Sequence, residues 1–265
     1  MGMFSRTNLN GARIIVTGAS SGIGWALAEQ LAHEKSRLVL ASRNQEKLEE
    51  LARMIKERGG EAHIVPTDVT EAAARAHLIE TALARLGVID ILINNAGVGA
   101  MGFFADAAED RLRRIFEVNF FATTELTRLA LPHLRQGNNP MIVNVSSILG
   151  RRAIPGCTEY CASKFALAGW SEGLRAELVH QGIQVLLVCP GRIQTNFQKN
   201  LIEDKIRFGW QNHRQMTAER CAQLIVRAMR RRRNELITTA QGKMLVWLNR
   251  LSPRLLDYLL ARFSK

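Results

Sequence analysis

Six short runs of almost wholly apolar residues, rich in Val and Ile, punctuate this chain: ARIIVTG (12–18), RLVLAS (37–42), AHIVPTDV (62–69), IDILINNAG (89–97), MIVNVSS (141–147) and IQVLLVCPG (183–191). Between them lie segments of helical texture. In QEKLEELARMIKERGG (45–60), Leu48, Leu51, Ala52 and Ile55 fall at i, i+3, i+4 and i+7 before a Gly-Gly stop. A strand wetted on one face alternates apolar with polar residues, and these runs do not. Strands buried on both faces belong to a parallel sheet covered by helices. The expected fold is therefore one α/β domain with a doubly wound, Rossmann-type parallel sheet, continuous to about Ile237. No linker, repeat or low-complexity segment interrupts it.

The 265 residues are 47% hydrophobic, enough for a full core. No stretch of eighteen apolar residues can span a membrane. The opening MGMFSRTNLNGARIIV has no apolar signal core, and Arg6 stands where myristoylation wants Ser or Thr. Cys157, Cys161, Cys189 and Cys221 form no C-x-x-C and have no histidine at ligand spacing, so reduced core thiols in a cytoplasmic protein, without a metal, are expected. The net charge is +12, but ten Lys/Arg against Glu235 and Asp257 fall from Arg227 onward. The basicity thus belongs to the tail. A nucleic-acid-binding domain would spread it over a whole face, so no nucleic-acid partner is expected.

TGASSGIG (17–24) joins the first strand to the first helix. Gly18, Gly22 and Gly24 allow a tight turn and close approach of a ligand, and the helix N-terminus offers free N–H groups to a phosphate. A plain tight turn would use the same residues; the place after the first strand favours a dinucleotide. At the end of the second strand stand Ser42 and Arg43, with no acid before Glu46. A carboxylate there would repel a 2′-phosphate and Arg43 would pair with it, which selects NADP(H). An ordinary surface arginine is the plainer alternative.

TEYCASK (158–164) places Tyr160 and Lys164 four apart, on one side of a helix expected over Thr158–Val179. A free phenol titrates near 10 and is a poor base at neutral pH; a nearby ammonium would lower that value.

Taken together, TGASSGIG, DV (68–69), NNAG (94–97), the asparagine of EVNFFAT, NVSS (144–147), YCASK (160–164) and PGRIQT (190–195) resemble the short-chain dehydrogenases/reductases, in the family's order and spacing. The resemblance covers residues 11 to about 200. It implies Tyr160 as general acid in reduction and general base in oxidation. Lys164 would lower the Tyr160 pKa and hold the nicotinamide ribose. Ser147 would orient the substrate oxygen, and Asn119 would keep a kinked helix and a water that relays protons to Lys164. It also implies a cofactor cradle of Gly18, Ser20, Ser21, Gly22, Ile23 and Gly24, with Asp68 and Val69 at the adenine. Asn95, Ala96 and Gly97 would line the ribose side, and Pro190, Gly191, Ile193 and Thr195 would flank the nicotinamide. Ser146 reads as a structural hydroxyl, and Cys157 and Cys161 as packing residues.

The expected activity is NADPH-dependent interconversion of a hydrophobic ketone or aldehyde and its alcohol; an idle NADP(H)-binding sensor on the same fold is the alternative. Residues 1–240 form the expected catalytic domain. Its lid lies at 196–216, with Phe197, Leu201, Ile202, Phe208 and Trp210 as an apolar mouth. Arg151 and Arg152 read as a solvated loop, with an anionic substrate as the other option. Apolar residues on several sides of the helices around 109–131 and 158–179 suggest a homo-oligomer. The extension 241–265 is basic and amphipathic, split by Pro253, with Leu255, Leu256, Leu259, Leu260 and Phe263 on one face. Packing against protein and a seat on a membrane surface both remain open.

Overall fold

A computed structural model describes residues 7–206 and 215–262; Phe208, Trp210 and Phe263 lie outside them. In chain order the first half contains β1 (Arg13–Thr17), α1 (Gly22–His33), β2 (Arg37–Ser42), α2 (Gln45–Glu57), β3 (Glu61–Pro66), α3 (Ala72–Leu86), β4 (Ile91–Asn94) and β5 (Gly99–Met101). The middle contains α4 (Arg111–Phe116), a π-helical turn (Glu117–Phe121), α5 (Ala122–Leu134), β6 (Met141–Val145), α6 (Thr158–Leu178) and β7 (Gln184–Cys189). The remainder contains β8 (Ile193–Gln194), β9 (Leu201–Asp204), β10 (Met216–Thr217), α7 (Ala218–Arg230), β11 (Glu235–Ile237), α8 (Ala240–Leu251) and α9 (Pro253–Ala261).

The central sheet has seven strands in the order β11-β7-β6-β4-β1-β2-β3, all parallel. Alternate residues of each strand enter opposite layers. Ile14 and Val16 join Leu38, Leu40, Leu48 and Leu51 on the side of α1, α2 and α7. Ile15 joins Val39, Leu92, Ile142, Leu78 and Leu126 on the side of α3, α5 and α6. This two-sided burial is why the strand sequences lack polar alternation. The amphipathic α2 turns Leu48, Leu51, Ala52 and Ile55 inward, and the Asn44 side chain caps it by accepting from the Lys47 N–H.

Strand order reverses between β1 and β4, so the connections leaving these two strands diverge and open a crevice at their carboxyl ends. Two small parallel pairs lie outside the main sheet, β5 with β9 and β10 with β8. The first attaches the segment after residue 196 to the body. The second leads into α7.

Candidate active site

At the crevice the glycine turn is held from across the switch point. Asn95 Nδ2 donates to the carbonyls of Thr17 (3.0 Å) and Gly18 (3.1 Å). Thr17 Oγ1 accepts from the N–H groups of Asn95 (3.0 Å) and Ala96 (3.1 Å). Gly18 has φ +65, and a Cβ there would lie 2.9 Å from both Ala96 Cα and Asn95 Nδ2. On Gly24 it would lie 2.2 Å from the Gly18 carbonyl oxygen. Only glycine fits these two positions. Ser21, at the N-cap of α1, gives the helix no side-chain cap, and the first turn carries no acid. The helix therefore points uncapped N–H groups and the positive end of its dipole into the crevice, a fit for a dinucleotide's phosphates.

The remaining candidate cofactor residues stand at the same carboxyl edge. Arg43 follows β2, is 73% exposed, and has Nη1 4.0 Å from Asp68 Oδ2. Burial raises the Asp68 pKa, but hydrogen bonds from the Thr70 N–H and hydroxyl, with Arg43, bring it below the usual value. Val69 offers its carbonyl to Arg75 Nη1 at 2.7 Å. Ile148 N–H donates to the Pro190 carbonyl, and Gly191 N–H donates to Thr238 Oγ1. Ile193 lies in β8. Thr195 caps the next turn by accepting from Phe197 N–H, and its methyl carbon lies 3.0 Å from where a Cβ on Gly22 would stand. This segment therefore reaches across to the glycine turn.

Ser147, Tyr160, Lys164 and Asn119 converge from three elements. Ser147 ends the β6 segment and accepts from Leu149 N–H at 3.1 Å. Tyr160 is half-buried in the first turn of α6, beside the Ser147 side chain. Lys164 is 4% exposed, and its Nζ donates to the Val145 carbonyl at 3.1 Å. Asn119 sits in the π-helical turn that kinks the helix between α4 and α5. Its Nδ2 donates to the Val98 carbonyl and Ser163 Oγ, each at 2.9 Å, and its Oδ1 accepts from Val98 N–H at 2.9 Å. Gly97 passes between these groups: a Cβ there would lie 3.2 Å from Asn119 Oδ1 and 3.4 Å from Lys164 Nζ.

Burial pushes the Tyr160 phenol well above its usual value, and the neighbouring Ser147 side chain opposes the shift. The sequence pointed to Lys164 as the group that lowers it. Its Nζ lies over the ring, 5.8 Å from the centroid, and donates to the Val145 carbonyl. Burial lowers Lys164 itself to about 8. Ser146 donates to the Lys164 carbonyl at 3.0 Å, a structural role. Cys157 and Cys161 are buried with Met101, Leu149 and Ile154. Burial raises their thiols to about 12 and about 11 respectively, which makes them packing groups rather than nucleophiles.

Over this centre lies the lid. The Phe197 ring stands 5.8 Å from the Tyr160 ring, centroid to centroid, and a Cβ on Gly99 would touch it at 2.9 Å. The group that fixes the lid is one the sequence did not single out. Arg111, on the inner face of α4, is fully buried. Its Nη2 and Nε donate to Glu159 Oε1 at 2.5 and 2.9 Å, and its Nη1 to Glu203 Oε2 at 2.9 Å. Glu203 belongs to β9 and Glu159 precedes Tyr160, so one guanidinium ties the lid strand to the tyrosine-bearing helix. Arg111 and Ile115 share the buried helix face, and a charge at i with an apolar partner at i+4 was the one available signal.

Arg151 and Arg152 are neither solvated nor free for a substrate. Arg151 pairs with Glu172 and Glu235, and Arg152 with Asp257. Among the described residues no group of three or more His, Cys, Asp or Glu is placed to hold a metal ion.

A doubly wound parallel sheet with an uncapped glycine turn at its switch point, beside a buried Ser-Tyr-Lys cluster, defines a nicotinamide-dinucleotide oxidoreductase. Residues 12–206 match the family model for short chain dehydrogenase. A ketoacyl reductase, HetN, of Nostoc sp. is 32% identical over 257 residues, covering 95% of this chain and 88% of that protein. Dehydrogenase/reductase SDR family member 7 of Homo sapiens is 36% identical over 241 residues, 87% of this chain and 71% of its own. A short-chain dehydrogenase/reductase from Burkholderia phymatum, solved with NAD, superposes with a TM-score of 0.85 at 26% identity, over 94% of this chain and 96% of that one. One from Burkholderia cenocepacia, solved with NADP, gives 0.77 at 27% identity, over 87% and 97%. The chain belongs to the short-chain dehydrogenase/reductase family and is an NAD(P)-dependent enzyme.

Proposed function

We propose that the chain is an NADPH-preferring reductase of apolar ketones or aldehydes, running in reverse on the matching alcohols, in the reducing cytoplasm and as a homo-oligomer. The observation that carries the chemistry is the Tyr160 phenol set beside the Ser147 side chain, with the buried Lys164 ammonium over its ring. The dinucleotide, when bound, supplies or accepts the hydride. The Ser147 hydroxyl and the Tyr160 phenol hold the carbonyl oxygen. As the carbon gains hydride, that oxygen gains the Tyr160 proton, and C=O becomes CH–OH. A phenol whose pKa burial has raised is held protonated at neutral pH, as a proton donor requires. Lys164, lowered only to about 8, is still mostly charged at pH 7 and favours the phenolate left behind. Phe197 over Tyr160 supports an apolar substrate by excluding water from the reacting oxygen.

Arg43 supports the choice of NADPH: it is exposed at the end of β2, where a 2′-phosphate would extend. Losing that contact in Arg43→Ala should cost NADPH about 1–3 kcal/mol of binding and leave NADH unchanged. Equal affinity of the parent for both dinucleotides would remove the preference. The homo-oligomer is supported by Leu112, Phe121 and Phe165, left 42%, 49% and 43% exposed on neighbouring helices. The four cysteines, unpaired and buried, suit a reducing compartment.

The deciding experiment is turnover of NADPH against a carbonyl panel that includes a ketoacyl compound, with Tyr160→Phe beside the parent. Parent activity should fall by about 10²–10⁴ in the variant while dinucleotide binding persists. A parent inert across the panel would identify a dinucleotide-binding sensor instead.

A further inference from the structure

Helices α8 and α9 form a hairpin that is docked on one side only. Toward the body, Val246 and Leu256 are buried, and Gly242 sits so close that a Cβ would lie 3.2 Å from Ile148 Cδ1. Arg152 clamps both helices, Nη1 donating to Asn249 Oδ1 at 2.9 Å and Nη2 to Asp257 Oδ1 at 2.5 Å. Away from the body, Met244, Trp247 and Leu251 of α8 form a stripe, at 58%, 60% and 63% exposure. On α9, Leu255, Tyr258 and Leu259 form a second, at 55%, 59% and 43%. The spacing i, i+3, i+7 on one helix and i, i+3, i+4 on the other places each stripe on one face. Such side chains belong under cover, and none of the described residues covers them.

The charge around these stripes selects the occupant. Lys243, Arg250, Arg254 and Arg262 are exposed on the same two helices. The hairpin's one carboxylate, Asp257, is taken by Arg152. The rim is therefore cationic around an apolar centre that includes a Trp and a Tyr, the two residues that favour a membrane–water interface. A second copy seated here would set these cations against their own kind. No described helix is long and apolar enough to cross a membrane, so the hairpin would lie on the surface rather than span it. The arginines at 230–233 take no part. They precede β11, whereas the hairpin leaves its carboxyl end, and Arg230 is paired with Glu34.

We propose that the exposed face of α8 and α9 seats this protein on an anionic lipid surface. Because Gly242 abuts Ile148, the residue after Ser147, that seat lies beside the carboxyl edge where the candidate active site opens.

The test is sedimentation of the full chain with vesicles of phosphatidylcholine alone, or of phosphatidylcholine mixed with phosphatidylglycerol, at low and high salt. The protein should pellet with the mixed vesicles at low salt and be released at high salt. The triple variant Arg250→Ala, Arg254→Ala, Arg262→Ala should partition about a hundredfold less, three cations at roughly fivefold each. Trp247→Gln with Leu251→Gln should abolish pelleting without moving the thermal midpoint, both side chains being exposed. The parent remaining in the supernatant with both vesicles at low salt overturns the proposal. So does light scattering in which the Trp247/Leu251 variant turns a dimer into a monomer, since the occupant is then a second copy. Turnover is not read, so failure here leaves the chemistry of Tyr160 standing.

Discussion

Arg111 shows how much one side chain can decide. Its guanidinium is fully buried and faces the Glu159 and Glu203 carboxylates. Two further contacts, from Nη2 to the carbonyls of Gly102 (3.4 Å) and Phe103 (3.3 Å), surround it with acceptors. Removing one partner of a buried pair strands the other, at a cost of about 3–5 kcal/mol. Arg111→Met should therefore lower the unfolding free energy obtained from urea titration by that amount. Arg111→Met with Glu159→Gln and Glu203→Gln should recover part of it, because no charge is left unpaired. Kinetically the single variant should raise KM for an apolar carbonyl more than it weakens dinucleotide binding, since β9 belongs to the lid and not to the glycine turn. A single variant as stable as the parent would show that the pair contributes nothing net. This residue was hidden in the sequence for a physical reason. RLRR (111–114) reads as a solvated helix face, and only the register of β9 against β5 brings Glu203 under Arg111. By contrast Tyr160, Lys164 and the glycine turn were legible because their geometry is local: four residues on one helix, or one loop.

The same division holds for whole elements. Runs buried on both faces announce a parallel sheet, so β1, β2, β4, β6 and β7 could be read directly, and the helix expected over Thr158–Val179 ends at Leu178. The α8–α9 hairpin was ambiguous because its periodicity is satisfied by either of two faces. The four described residues of the expected apolar face separate instead, Leu256 buried and Leu255 and Leu259 exposed, because Arg152 sets the rotation of α9 through Asp257. Between α4 and α6 an aromatic cluster repeats this theme. Phe120 packs edge-on against Phe121 (5.5 Å) and Trp170 (6.5 Å), and Phe121 remains half-exposed. If this face joins copies of the chain, Phe121→Glu with Phe165→Glu should reduce the mass seen by light scattering to 29.6 kDa. The double variant should also unfold at nearly the parent's midpoint once the copies are apart. A parent already at that mass at micromolar concentration removes the homo-oligomer.

Across the whole molecule, the ionisable groups with the most at stake at high pH are buried thiols, not surface charges. Burial raises Cys157, Cys189 and Cys221 from 9.0 to about 12 and Cys161 to about 11. In the unfolded chain each thiol gives up its proton near pH 9, while the folded protein retains it. Between those values the folded state binds more protons, so stability falls as pH rises, by about 1.4 kcal/mol per pH unit for each thiol. Tyr160 acts in the same direction above pH 10, its phenol being raised as well. Lys164 acts oppositely. Burial lowers it from 10.5 to about 8, so the unfolded chain binds the extra proton between those values and stability rises with pH there. One lysine does not offset four thiols, and the net slope near pH 10 should be roughly −4 kcal/mol per pH unit. Against a typical stability of about 5–15 kcal/mol, the protein should unfold within a few pH units above 9. Urea midpoints between pH 7 and 11, with a reductant present, measure this curve. Cys221 lies on α7, in the core that this helix shares with α1, so Cys221→Ala should flatten the alkaline slope by about a quarter, whatever it does to stability at pH 7. A parent curve flat to pH 11, or an unchanged slope in that variant, would show that the thiols titrate normally and that the core around them admits water.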